Sequence, residues 1–331
     1  MPEPALSPDY LSQASGSSQY IADPTSSRKL LVLDLNGTLL LRPKRSARTK
    51  GEDASLTRTR PVHSRPYIPS FREYLSHPKT LSWLDTMVWS SAQPHSVKDM
   101  VERCFGHRTC LKALWARDML GLTPELYAKK AQTTKDLSMI WNTRAFTSSP
   151  SLASLVSNSN DAKLFHNAAT TVLLDDSPKK ARLQPWNHVC IREYGTGMRK
   201  ADLDVWEGLR PKEKEKKAKK AKKAKKTMKA LEVEAVDTPV TELVPPSSKG
   251  TYDETLLAVI GVLEALRHQS NVAAWIRSGG LLLAGERGDL ATDKESDMMW
   301  FNDVQISNRW VEKGRNALSE LGIAVESGVH G

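Results

Sequence analysis

Cysteine is scarce in this chain: Cys104, Cys110 and Cys190 are the only three in 331 residues. Three cysteines cannot supply a disulfide framework, and the apolar neighbours of two of them suit reduced, buried thiols, which points to an intracellular compartment. Long apolar runs are also missing. The longest, residues 256–263, stops at Glu264, well short of the ~20 residues that a membrane-spanning helix needs, so no span is expected. Residues 1–27 lack any Lys or Arg but carry Glu3, Asp9 and Asp23. Neither an Arg-rich, acid-poor presequence nor the apolar core of a secretory signal is visible there. Rich in Ser, Pro, Ala and Asp and without a sustained apolar period, residues 1–27 read as a disordered tail. No internal repeat is apparent.

With 39% hydrophobic and 26% charged residues, the rest is long enough for one large or two ordinary domains with a substantial core. The net charge of +10 has one source. Between Arg210 and Lys229 lie twelve basic and two acidic residues, so this tract carries the whole excess and the remaining residues sum to zero. The basic balance therefore says nothing about nucleic-acid binding by the folded part. The tract itself could serve as a nuclear localisation signal, touch nucleic-acid backbones nonspecifically, or act as a solvated spacer, and nuclear targeting is the expectation its lysine density favours. It belongs to a low-complexity linker over residues 205–250 that ends in Pro245-Pro246-Ser247-Ser248.

From Lys29 onward, short apolar runs alternate with helical patterns, the texture of buried parallel strands. Leu30-Leu31-Val32-Leu33 precedes Asp34, Met87-Val88-Trp89 precedes Ser90, and Thr171-Val172-Leu173-Leu174 precedes Asp175. In a doubly wound α/β sheet the carboxyl ends of strands line the ligand crevice, so the three polar residues are candidates to converge there. For any one run alone, a polar residue that simply ends a strand would explain as much. Residues 41–64, basic and without periodicity, form a loop placed to overhang that crevice. Past the linker, Asp253 is a plausible N-cap for a helix with Leu256, Leu257, Ile260, Leu263 and Leu266 on one face, and an amphipathic helix around Trp310 to Leu321 closes the chain.

The chemistry concentrates in Asp34-Leu35-Asn36-Gly37-Thr38. An Asp at a strand end, a glycine that permits a tight turn and a Thr returning toward the carboxylate suit an aspartyl nucleophile meeting phosphorus in line. An Asx-type turn would explain a lone copy nearly as well. Lys135, in Lys135-Asp136-Leu137-Ser138, could neutralise phosphoryl oxygens, and Asp175-Asp176-Ser177-Pro178 offers hard oxygen ligands for Mg²⁺.

Taken in order, these elements resemble the haloacid dehalogenase superfamily, and within it the FCP/SCP-type, NLI-interacting-factor-like phosphatases that act on the C-terminal domain of RNA polymerase II. The resemblance spans roughly residues 28 to 195 and rests on LLVLDLNGTLL, Arg65-Pro66 with a following Phe-x-x-Tyr-Leu, MVWSS, TKDLS and VLLDDSP. It implies a three-layer α/β/α haloacid-dehalogenase-like (Rossmannoid) domain over residues 28–204, with a parallel central sheet and no large cap; the helical segment 251–331, which carries none of these motifs, is expected from its amphipathic patterns to dock on it. The resemblance further implies that Asp34 is the nucleophile, that Ser90 binds a phosphoryl oxygen and that Lys135 stabilises the phospho-aspartate. Asp175 and Asp176 would hold Mg²⁺ together with Asp34 and the Asn36 backbone carbonyl. One position departs from the usual D-x-D-x-T: Asn36 stands where the family's second Asp protonates the leaving alkoxide and activates water, and an amide can do neither.

The implied activity is a Mg²⁺-dependent protein serine/threonine phosphatase acting on a phosphoprotein, slowed by Asn36. The rival reading is a phosphoprotein-binding scaffold of the same fold. A third, a receptor subunit of the mitochondrial inner-membrane translocase, is disfavoured by the absent presequence and span. Cys104-x2-His107-x2-Cys110 offers three zinc ligands without a visible fourth and at a non-standard spacing, so ordinary core or surface positions are the better expectation. Trp83, Trp89, Trp115 and Trp141 sit in apolar patterns and read as core. Gly279-Gly280 and Gly285-Glu286-Arg287-Gly288 lack the Lys-Ser/Thr of a phosphate loop.

Overall fold

The computed structural model describes residues 5–43, 60–106, 110–129, 132–142, 148, 152, 166–209, 250–282 and 299–330. In chain order the elements are α1 (Pro8–Ser15), β1 (Lys29–Leu33), the hairpin strands β2 (Leu40–Leu41) and β3 (His63–Ser64), α2 (Ile68–Ser76), α3 (Pro78–Leu81) and β4 (Leu84–Trp89). Next come α4 (Pro94–Phe105), β5 (Leu111–Trp115), α5 (Pro124–Ala128), α6 (Ser138–Trp141), β6 (Thr171–Asp175), β7 (His188–Cys190) and α7 (Thr196–Leu209). The C-terminal part holds α8 (Thr255–Leu266), α9 (Val272–Arg277) and α10 (Val304–Glu320).

Five strands pair in the order β5-β4-β1-β6-β7, each contact parallel. β1, β4 and β6 are buried along their whole lengths, which is why they read as unbroken apolar runs: both faces of a parallel sheet are covered. Alternate residues go to opposite layers. Leu31, Leu33, Val88, Leu114, Val172 and Leu174 join residues of α2, α4, α8 and α10 in the larger core. Leu30, Val32, Met87, Trp89, Ala113 and Leu173 pack on the other side with Leu137 and Ile140. The result is a three-layer α/β/α fold. Because the chain fills β4 and β5 on one side of β1 and then crosses to β6 on the other, the strand order reverses beside β1 while all strands stay parallel, and the crevice opens at the carboxyl ends of β1 and β6. Among the described residues, the chain between β1 and β4 contributes only the β2–β3 hairpin, α2 and α3, with no cap domain.

Several expectations need correction. Residues 5–27 are not a disordered tail. Ser7 caps α1 through its hydroxyl, Pro8 opens the helix and Asp9 sits in its first turn, all N-terminal helix signals. Tyr10 and Ala14 are buried, Tyr10 stacks on Trp186 at 5.7 Å, and its hydroxyl accepts the Trp186 backbone N–H at 2.9 Å. Two apolar residues one turn apart suffice here because an aromatic pocket awaits them, which no local pattern reveals. The linker does not begin at 205, since α7 continues to Leu209; the lysine tract from Arg210 to Lys229 lies outside the described residues, as do residues 44–59 of the loop after β2. Asp253 is not the N-cap of α8, whose boundary residue is Glu254 without a side-chain cap bond. Nor is α8 apolar on one face only: every residue from Leu256 to Leu263 is buried, because α10 closes over the side that the sheet layer leaves open. β5 and β7 carried no sequence signal of their own, the first being interrupted by half-buried Lys112 and the second being three residues long.

Candidate active site

Asp34 follows β1 directly and is locked to the neighbouring strand, its N–H donating to the Leu174 carbonyl at 3.0 Å. Asp175 ends β6 and Asp176 follows it. The turn after Asp34 is tight because Gly37 adopts φ +91°, and a Cβ there would lie 2.8 Å from Asp176 Oδ2. Glycine at this position is therefore required twice, by backbone conformation and by the approach of Asp176. Thr38 completes the turn: its hydroxyl accepts the Asp176 N–H and donates to Asp176 Oδ1, both at 3.2 Å.

Lys135, fully buried, donates to Asp34 Oδ1 at 2.8 Å and to Asp175 Oδ2 at 2.6 Å. A second lysine, Lys180, reaches the remaining oxygens, Asp34 Oδ2 and Asp175 Oδ1, at 3.0 Å each, with Asp176 Oδ1 at 3.7 Å. The two lysine-bearing loops are stitched together, the Lys135 N–H donating to the Lys180 carbonyl at 2.8 Å. Three carboxylates and two ammonium groups thus leave one formal negative charge in a largely buried crevice. Burial alone would raise the Asp175 pKa, but Lys135 and Lys180 outweigh it and hold the carboxyl well below the usual range. Asp176 goes the other way: burial, helped by the charges of Asp34 and Asp175, pushes it up to about 6 against the opposing pull of Lys180. Behind Asp175, His188 Nε2 lies 2.9 Å from its carbonyl; a carbonyl only accepts, so Nε2 carries the proton. Burial lowers the His188 pKa, which keeps the ring neutral.

The structure brings together Asp34, Thr38, Lys135, Asp175 and Asp176. Ser90 lies at the same sheet edge, just past β4, where its hydroxyl accepts the Ala92 N–H at 3.3 Å. Asn36 is exposed, and its Oδ1 accepts the Arg42 N–H at 2.7 Å. The side chain thus serves the turn into the hairpin. The adjoining bridge runs through the Leu35 carbonyl and the Gly37 N–H, both bonded to Leu40, so the Asn36 peptide carbonyl takes no part in it. Oxygens of Asp34, Asp175 and Asp176 all lie within 4.8 Å of one another, a set of hard donors that suits a small divalent cation.

Cys104 is core, its thiol pushed up to about 12 by burial, and His107 lies outside the described residues. Among the described residues no helix is long and apolar enough to cross a membrane.

Comparison with known proteins bears on this geometry directly. Residues 29–220, more than half of the chain, match the family described as NLI interacting factor-like phosphatase. The chain belongs to this family. It is also similar to an FCP1 homology domain-containing protein of Schizosaccharomyces pombe, itself described as uncharacterized, with 30% identity over 195 residues that make up 58% of this chain and 70% of that protein. As an NLI interacting factor-like phosphatase domain, the fold is haloacid-dehalogenase-like, a class that is generally metal-dependent, and an acidic cluster of Asp34, Asp175 and Asp176 is present in it.

Sequence reasoning overlooked Lys180 and His188 in this phosphatase domain. A signal for Lys180 existed: five residues beyond Asp175, across a Pro178 turn, a side chain returns to the strand end it left. His188 could not have been found, because β7 was not visible as a strand. Arg65, noted only within the Arg-Pro motif, is buried and ties the Asp34–Thr38 turn to the C-terminal part. It donates to the Thr38 carbonyl at 3.0 Å and to Thr255 Oγ1 at 2.9 Å, and pairs with Asp253.

Proposed function

We propose that this protein is a Mg²⁺-dependent protein serine/threonine phosphatase working through an aspartyl-phosphate on Asp34, with turnover slowed by Asn36. The observation that carries this reading is Lys135, whose ammonium bridges the Asp34 and Asp175 carboxylates inside the crevice. An Asp34 oxygen attacks phosphorus, the bond to the serine or threonine oxygen breaks, and the alkoxide departs. Water then attacks the aspartyl-phosphate, releasing inorganic phosphate and restoring Asp34. Lys135 balances charge on the transferring oxygens in both steps, and Ser90 binds one of them. Asp34, Asp175, Asp176 and the Asn36 backbone carbonyl would hold Mg²⁺, which when bound supplies further neutralisation of phosphoryl charge.

Asn36 cannot give the alkoxide its proton, and general acid catalysis is worth roughly 10²–10⁴-fold. A phosphoserine peptide should suffer most, since a phenolate leaves with little protonation. Asn36→Asp restores a proton carrier without disturbing the turn, because a carboxylate can accept the same Arg42 N–H. Mg²⁺-dependent phosphate release is expected to rise by about 10²-fold on a phosphoserine peptide, and by less on an aryl phosphate. Asp34→Asn in that background should abolish both. Equal and negligible rates for wild type and Asn36→Asp on both substrates would falsify the impaired-enzyme reading. They would favour the phosphoprotein-binding scaffold, the reading that Asn36 itself supports.

A further inference from the structure

We propose that Lys180 is a built-in counter-cation that occupies the divalent-ion position and must swing out before Mg²⁺ can bind. The inference rests on the metal-dependent reading above and concerns a residue to which that reading gives no role.

Lys180 Nζ touches Asp34 Oδ2 and Asp175 Oδ1 and faces Asp176 Oδ1, so a single ammonium is directed at the same three carboxylates whose oxygens form the only metal-type cluster among the described residues. An ion coordinated by these oxygens and an ammonium bonded to them cannot share the space. The two lysines differ in their freedom to leave. Lys135 has no exposed side-chain surface, whereas the Lys180 side chain is 17% exposed and follows Pro178 and Lys179, which are both exposed. Its four-carbon stem can carry the charge to water while the backbone stays fixed by the bond from the Lys135 N–H.

Charge points the same way. With Lys180 seated, the crevice is near balance, and three carboxylates can persist together without an ion. A Mg²⁺ ion entering beside both lysines would reverse the sign of the cluster, whereas exchange for Lys180 leaves it neutral. The metal-free domain is thereby stabilised, and Mg²⁺ affinity is reduced by the interactions Lys180 must surrender. Glu or Asp near such an ammonium would be its usual partners at a surface; here the partners are the residues the chemistry needs.

The test uses the full chain. Calorimetric titration with Mg²⁺ is expected to show at least tenfold tighter binding by Lys180→Met than by wild type. In metal-free buffer the variant should melt lower, and saturating Mg²⁺ should raise its melting temperature more than that of wild type. Should Lys180→Met fail to fold without metal, the wild-type protein still decides: acylation of Lys180 by an amine reagent, read by mass spectrometry, should quicken when Mg²⁺ is added. If both proteins bind Mg²⁺ equally, or acylation of Lys180 is unchanged while Mg²⁺ binds, the counter-cation role is overturned and the metal-dependent phosphatase reading stands. If neither protein binds Mg²⁺, both fall.

Discussion

At the crevice, five charged side chains from three loops are held in mutual contact. Where α8 crosses α10, apolar side chains surround two backbones that themselves touch: a Cβ on Gly261 would overlap the Trp310 carbonyl, and one on Gly314 the Leu257 carbonyl. Both regions are buried, yet they contribute differently. Desolvating three carboxylates and two ammonium groups consumes most of what their attraction returns, so the crevice adds little net stability and holds only as a complete set. The helix crossing needs no such balance. Close packing of Leu256, Leu257, Ile260 and Leu318 yields stability directly, provided that nothing larger than hydrogen stands at the two glycines.

The strongest way to break this contrast is to leave the crevice incomplete. Lys135→Met removes the one ammonium that bridges Asp34 and Asp175 at their inner oxygens, leaving buried carboxylates facing each other. The expected loss is about 3–5 kcal/mol in urea unfolding without metal. Adding Asp175→Asn should recover part of it, since an incomplete ion set is costlier than a smaller one. If Lys135→Met unfolds at the wild-type urea concentration, the crevice is not a coupled unit.

A somewhat smaller effect is expected at the crossing. Gly314→Ala places a methyl group against the Leu257 carbonyl, and the helices must separate, at about 1–3 kcal/mol by the usual range for overpacking. No charge is involved, so this loss should not vary with salt, whereas that of Lys135→Met should respond to Mg²⁺. Unchanged unfolding of Gly314→Ala would show that the helices have room the structure does not display.

The two regions were unequally legible in the sequence. Asp34, Gly37, Thr38, Lys135 and Asp175 could be read because each lies at or beside a strand end or in a short motif whose chemistry is fixed by residue type. The three central strands were equally clear, as both of their faces are apolar. What escaped depended on pairing across distance. Lys180 became visible only when its side chain was seen to turn back on Asp34, and the buried helix α1 only when Trp186 was seen to receive Tyr10. The glycines of α8 and α10 look like helix-weakening residues in isolation and acquire a purpose only where the two backbones meet. Asn36 was legible as an amide in place of a carboxylate, but its bond to the Arg42 N–H depended on a hairpin whose two-residue strands leave no periodic trace.

A joint links the two regions, and it should give the smallest and most pH-sensitive effect. Arg65 spans from the Thr38 carbonyl to Asp253 and Thr255 at the start of α8. Beside it, the Tyr194 N–H donates to the Gly37 carbonyl at 2.6 Å, and Asp202 receives the Tyr194 hydroxyl and the Asp253 N–H, each at 2.9 Å. Burial pushes the Asp202 pKa up to about 6 although both hydrogen bonds favour its charged form. The folded-state pKa therefore lies above the ordinary carboxyl value. The stabilisation associated with protonated Asp202 is fully present below the unfolded pKa near 4 and is lost as pH rises through about 6. Asp202→Asn keeps an acceptor for the Asp253 N–H and cannot ionise. Its melting temperature relative to wild type should therefore climb from about pH 4 to about pH 6 and then level off. A difference that stays constant over that window would mean that Asp202 titrates alike in the folded and unfolded chain, and that burial at the joint between crevice and helix pair imposes no penalty on its charged form.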